Sequence, residues 1–129
     1  MRYLLDTHTL LWLRANDPRL SRRKWSARLL DQPDQVGVSI AALWEMTIKR
    51  SLGKLKFDGS ISEFTRTMRD RLGFRILHVD PSHLERLESL EFHHRDPFDR
   101  LMIAQALEEN ATCVTRDRVW ARYPVRVDW

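Results

Sequence analysis

A single cysteine, Cys113, stands among 129 residues, which excludes an internal disulfide and a cysteine-based zinc site. A lone thiol fits a reducing compartment, so a cytoplasmic location is expected. Glycine and proline number only four and five, too few for a low-complexity or collagenous chain. No apolar run approaches the roughly 20 residues that span a bilayer, and no membrane partner is expected. The opening MRYLLDTHTLLWLR is apolar. Asp6 and His8 interrupt it, however, and no small-residue cleavage site follows, so it is not expected to be a signal peptide. Common catalytic signatures are also missing. There is no glycine-rich phosphate loop and no GxSxG turn, and DTHTL lacks the second aspartate of the DxDxT phosphatase pattern.

What remains is 43% hydrophobic and 31% charged, the composition of one folded domain over residues 1–129 with a single core. The net charge of +4 favours a polyanionic partner. The basic residues fall in three groups: Arg19, Arg22, Arg23, Lys24 and Arg28; Lys49, Arg50, Lys54 and Lys56; and Arg66, Arg69 and Arg71. Any one group is more simply the solvated face of a helix. Together they make nucleic acid a reasonable substrate class.

Short β-like runs alternate with helical stretches. Strands are expected at 2–5, 35–39, 75–79, 111–115 and 125–127. Helices are expected from near Thr9, from a Ser21 cap toward Asp31, from a Ser39 cap to Ser51 with Gly53 ending it, and over 61–72. Asp80-Pro81 and Asp96-Pro97 each read as an N-cap followed by proline at the first helical position, with Asn110 ending the second of these helices. About five strands separated by helices predict an α/β fold of three-layer, Rossmann-like α/β/α type with a mainly parallel sheet. Sites in such sheets form beyond the carboxyl ends of the strands.

Four acids are placed to meet there. Asp6 follows the first strand and Asp117 the fourth, while Glu45 and Asp99 lie near the starts of helices that leave the same edge. Each also has a plain structural role. Asp6 and Asp117 suit helix caps, Asp99 suits a helix first turn, and Glu45 precedes Lys49 by four residues in the favourable ion-pair order. Two observations weigh against those roles. Asp99 shares a stripe with Met102, Ile103 and Ala106, and Glu45 lies beside Ala41 and Ala42, so both acids turn toward apolar faces. Clustered carboxylates repel unless a cation relieves them, and Mg²⁺ or Mn²⁺ with oxygen ligands suits phosphodiester hydrolysis. His93 and His94 adjoin Asp96, but adjacent histidines point apart and are expected at the solvent, with His94 and Arg95 available to an incoming phosphate. His8 has no recognisable partner spacing. The five tryptophans read as core first, although Trp12 and Trp44 flank the site and either suits base stacking.

LLDTHTLLW (4–12), VSIAALWEMTIKRSLGKL (38–55), HHRDPFDRLMIAQAL (93–107) and VTRD (114–117), in this order and spacing, resemble the PIN domains, and among them the VapC-type toxins of toxin–antitoxin pairs. The resemblance covers nearly the whole chain, and DPFDRLMIAQA is its most specific part. It implies that Asp6, Glu45, Asp99 and Asp117 are metal-binding acids. Thr7, Ser39 and Thr115 are then small hydroxyl residues beside them, and Asp96 is a cap with at most a supporting part. Many members carry Asn or Ser where this chain has His8. The resemblance further implies an Mg²⁺- or Mn²⁺-dependent endoribonuclease using a metal-activated water, a homodimer, and a small antitoxin whose segment crosses the toxin groove. Two other classes compete. One is a non-catalytic RNA- or partner-binding module whose acids are caps, against which the presence of all four acids argues. The other is a DNA-processing nuclease, for whose extra elements 129 residues leave little room.

Overall fold

The sheet is built from five short strands: Tyr3–Leu5 (β1), Val36–Ser39 (β2), Arg75–Leu77 (β3), Thr112–Val114 (β4) and Arg126–Asp128 (β5). All are parallel, in the order β3-β2-β1-β4-β5, and Leu5 lies in register between Val38 and Val114. The central strands β1 and β2 are buried throughout, as a parallel sheet covered on both faces requires. The computed structural model describes residues 1–21 and 23–129. Arg22, in the first basic group, lies outside them.

Seven α-helices are found among the described residues: Thr7–Arg14 (α1), Pro18–Ser21 (α2), Lys24–Asp31 (α3), Ile40–Ser51 (α4), Ile61–Arg66 (α5), Pro81–Glu88 (α6) and Pro97–Glu108 (α7). The architecture is the expected three-layer α/β/α. Helix α7 is buried at every position from Arg100 to Ala106, and α4 and α6 pack against it. The local signals act as read. Ser39, Asp96 and Asp6 cap α4, α7 and α1. Gly53 (φ +70°) and Asn110 (φ +53°) follow α4 and α7 in the left-handed conformation that stops a helix.

Three helix expectations need correction. Helix α1 starts at Thr7, two residues early, because Asp6 is its cap. Ser21 does not cap the next helix: it is the last residue of the separate turn α2, and α3 begins at Lys24 behind Arg23. Asp17-Pro18 explains this, since the Asp17 carboxylate accepts the Arg19 N–H at 2.9 Å and starts a helix of its own. The helix expected over 61–72 is α-helical only to Arg66 and continues as a π-helical turn, Thr67–Arg71. There the Leu72 N–H reaches the Thr67 carbonyl, while the Thr67 hydroxyl bonds back to the Glu63 carbonyl.

From β1 the chain steps outward to β2 and β3, then crosses back to lay β4 on the other side of β1. That reversal opens a crevice at the carboxyl ends of the central strands. Asp6, Ser39 and Thr115 all stand at this edge, immediately after β1, at the end of β2 and immediately after β4.

Candidate active site

Asp6 leaves β1 only 5% exposed. Its Oδ1 accepts the Thr9 N–H at 2.7 Å, the helix-cap bond, and its Oδ2 accepts the Thr115 hydroxyl at 2.5 Å. The cap role is therefore real but engages one oxygen only. The Thr115 hydroxyl also accepts the Asp117 N–H at 3.0 Å, tying Asp117 to Asp6 through a single side chain. Asp117 itself is exposed, and its Oδ1 accepts the Val119 N–H at 2.9 Å, capping the 3₁₀ turn Arg118–Arg122. It stands at the rim, in a cleft of 690 Å³ that Arg23, Arg116 and Arg118 also line.

Glu45 is 3% exposed on α4. Its Oε1 accepts the Thr7 hydroxyl at 2.5 Å and its Oε2 meets Lys49 Nζ at 2.7 Å. The i,i+4 pair foreseen from the sequence is formed, but its acidic partner is buried. The Lys49 ammonium is held in its charged form first by the hydrogen bond to Glu45, with Asp96 and Asp99 adding to the attraction. The cation is thus a built-in counter-charge for this part of the cluster.

Asp96 caps α7, accepting the Phe98 and Asp99 N–H groups at 3.0 and 2.9 Å. In that first turn Asp99 faces inward, and its carboxyl pKa is pushed up to about 6, first by burial and then by the charges of Asp96 and Glu45. A hydrogen bond from His94, Nε2 to Oδ2 at 3.2 Å, acts in the opposite direction. Ser39 serves elsewhere. Its hydroxyl caps α4 through the Ala41 N–H and donates to Gln105 Oε1 at 2.5 Å, while Gln105 Nε2 donates to the His78 carbonyl. It locks β2 to α7 and supports the site through the backbone.

Thr7, the neighbour of Asp6, thus holds Glu45, Thr115 ties Asp6 to Asp117, and Asp99 feels the charges of Glu45 and Asp96. Among the described residues, no three His, Cys, Asp or Glu side chains stand close enough to hold one ion together. The donor set nevertheless fits a hard divalent cation chemically. The donors are carboxylate oxygens, the single thiol is buried with its pKa pushed up, and the mutual repulsion at Asp99 is what such a cation relieves.

Arg100, Gln105 and Tyr123 take part without having been among the residues expected from the sequence. Arg100 had a usable signal, a charged residue running straight into the apolar stretch Leu101, Met102, Ile103 and Ala104 of one helix. Tyr123 had none, since only tertiary packing brings it to residues 93–100. The histidines correct an expectation, because both His93 and His94 pack edge-on against Tyr123 at 4.7 and 5.4 Å and do not point apart. His8 is exposed, 5.9 Å from the ring of Trp12. Trp25 and Trp120 are buried as expected, whereas Trp44 is 56% exposed and edge-on to Phe98.

The PIN domain model matches residues 3–125, and the chain belongs to the PIN-domain family. The fold is similar to that of solved structures at low identity. With VapBC2 from Rickettsia felis, bound to a DNA fragment from its promoter, the TM-score is 0.72 at 18% identity, covering 99% of this chain and 98% of that one. DNA-bound VapBC from Salmonella typhimurium gives 0.70 at 17%, covering 99% and 97%. FitAcB from Neisseria gonorrhoeae gives 0.60 at 19%, covering 97% and 95%. A comparison with curated protein sequences gives no significant match.

Proposed function

We propose that this PIN-domain chain is the toxin of a toxin–antitoxin pair, a VapC-type endoribonuclease that hydrolyses RNA phosphodiester bonds with Mg²⁺ or Mn²⁺. One observation carries the reading. Asp6 and Glu45 are buried carboxylates, each held by a threonine hydroxyl, and Asp99, whose ionisation is opposed first by burial and then by Asp96 and Glu45, lies within reach of the Glu45 charge. Lys49 is paired with Glu45 and supplies one positive charge, fewer than three carboxylates require, and a divalent cation would supply the rest.

Asp6, Glu45 and Asp99 would draw closer to hold the cation, with Asp117 as the fourth acid. When bound, Mg²⁺ or Mn²⁺ supplies an acidified water and neutralises charge on the phosphoryl oxygens. The chain's own groups do the rest. Thr7 and Thr115 orient the Glu45 and Asp6 carboxylates. Arg23, Arg116 and Arg118 attract a phosphate backbone to the adjoining cleft, and the exposed Trp44 offers a ring for a base to stack on. The motif resemblance to VapC-type toxins, and the fold shared with VapBC and FitAcB chains, support a small neutralising antitoxin and a homodimer in the cytoplasm. A groove of 720 Å³ between α1 and residues 55–58, lined by Leu11, Trp12, Leu55 and Phe57, suits an apolar partner segment.

A second reading, a non-catalytic RNA- or partner-binding module, is favoured by one fact: Asp6, Asp96 and Asp117 all cap helical turns. Cleavage of RNA separates the two. The nuclease reading expects cleavage that requires a divalent ion and is abolished in folded Asp6→Asn and Asp99→Asn proteins. Metal-independent cleavage, or wild-type activity in both variants, contradicts it. RNA binding without any cleavage supports the module.

A further inference from the structure

Tyr123 is 3% exposed, and four polar groups converge on its hydroxyl. The backbone N–H groups of His93 and His94 and the Arg100 guanidinium, through Nη1, each donate to it at 3.2 Å. All three are obligatory donors, already more than the two lone pairs of a phenolic oxygen, so the site has no room for a further donor. The fourth neighbour, His94 Nδ1 at 2.7 Å, must therefore receive the phenolic proton. An imidazole that accepts at Nδ1 carries its own hydrogen on Nε2. That nitrogen is 3.2 Å from Asp99 Oδ2.

We propose that His94 is a positioning residue for Asp99, locked by Tyr123 as the Nε2–H tautomer so that it donates to the carboxylate and restricts its rotation. The far end of the chain is anchored as well. Arg100 donates to the Glu91 carbonyl at 2.8 Å and the Leu90 carbonyl at 3.1 Å, and its guanidinium lies 3.7 Å from the Phe92 ring centre. Arg100 adjoins Asp99 on α7, so the relay Arg100–Tyr123–His94–Asp99 closes on the helix that carries its target. Both the His94 and Asp99 side chains are under 20% exposed, at 18% and 17%, so water competes weakly for this bond. The HHRDPFD segment thereby gains a role for its second histidine: it points inward, to the acid five residues on.

The inference rests on reading Asp99 as an acid of the metal site, and the test separates the two. Long-range ¹H–¹⁵N spectra of the metal-free protein report the histidine tautomers directly. His83, whose Nδ1 accepts the Asp80 N–H at 3.0 Å, is an internal reference for the same tautomer. The wild type is expected to show His94 protonated at Nε2. Tyr123→Phe is expected to redistribute the His94 tautomers while leaving His83 unchanged. In calorimetric titrations with Mn²⁺, His94→Leu is expected to bind about tenfold more weakly, and His94→Gln, whose amide N–H still reaches Asp99, to recover part of the loss. Should His94→Leu fail to fold, Tyr123→Phe carries both measurements. An Nδ1-protonated His94 in the wild type, or wild-type Mn²⁺ affinity in His94→Leu, overturns the proposal. An Nε2–H signature in a wild-type protein that binds no Mn²⁺ supports the relay and counts against the metal reading instead.

Discussion

Asp99 is the residue at which folding and proposed function pull apart. With its carboxyl pKa raised to about 6 from an ordinary 3.8, the folded protein keeps a proton through the acid range that the unfolded chain has already released. Where the native state binds more protons, stability falls as pH rises, so the metal-free protein loses stability through that window and levels off above it. Asp99→Asn carries no charge and escapes the loss. It is expected to match the wild type near pH 4 and to exceed it by about 1–2 kcal/mol at pH 8 in EDTA, read by denaturant titration. Equal stabilities at pH 8 would mean that Asp99 ionises without penalty. Lys49 makes the complementary case. Lys49→Met leaves Glu45 buried without its 2.7 Å counter-ion, so the metal-free protein is expected to lose about 1–2 kcal/mol. Mn²⁺, no longer competing with an ammonium, is expected to bind several-fold more tightly by calorimetry. The spacing of Glu45 and Lys49 made this pair legible in the sequence. Ala41 and Ala42 marked the apolar side on which Glu45 lies, but its bond to Thr7 was not legible, because Thr7 arrives on α1 from 38 residues upstream.

At the scale of elements, Asp-Pro is the signal that reads most directly: Asp80-Pro81 and Asp96-Pro97 open α6 and α7. Asp17-Pro18 opens α2, a turn of only four residues, by the same means. Strand positions were legible from apolar runs, with ends off by a residue or two. The π-helical turn after α5 had no sequence signal, since its pattern of apolar residues is that of an ordinary helix. The segment from Leu90 to Arg95 has no regular structure and is strapped to α7 by side chains, chiefly Arg100. Arg100→Met removes the bonds to two carbonyls and to Tyr123 together. It is expected to destabilise the fold by about 2–3 kcal/mol in urea titrations, with amide exchange at His93 and His94 rising by more than exchange in β1. Uniform loss of protection across the sheet and the strap would instead show that Arg100 acts on the whole core.

At the scale of the molecule, the strand order places the reversal of the chain at β1 and β4, and the two acids that follow those strands share one threonine. Fold class and the edge that bears the site followed from the alternation of strands and helices. The relative standing of the four acids did not, because it turns on tertiary distances: Asp6 and Glu45 are buried, Asp99 is half-buried and hard to ionise, and Asp117 is exposed. On the proposed function, these acids direct an outside water at RNA phosphorus. The end groups of the cleavage products test this most directly. Hydrolysis by water leaves no 2′,3′-cyclic phosphate, whereas attack by the RNA's own 2′-hydroxyl leaves one and needs no cation. Mn²⁺-dependent products without cyclic phosphate, lost when EDTA is added, are expected. Cyclic-phosphate ends, or cleavage that survives EDTA, would contradict the proposed function.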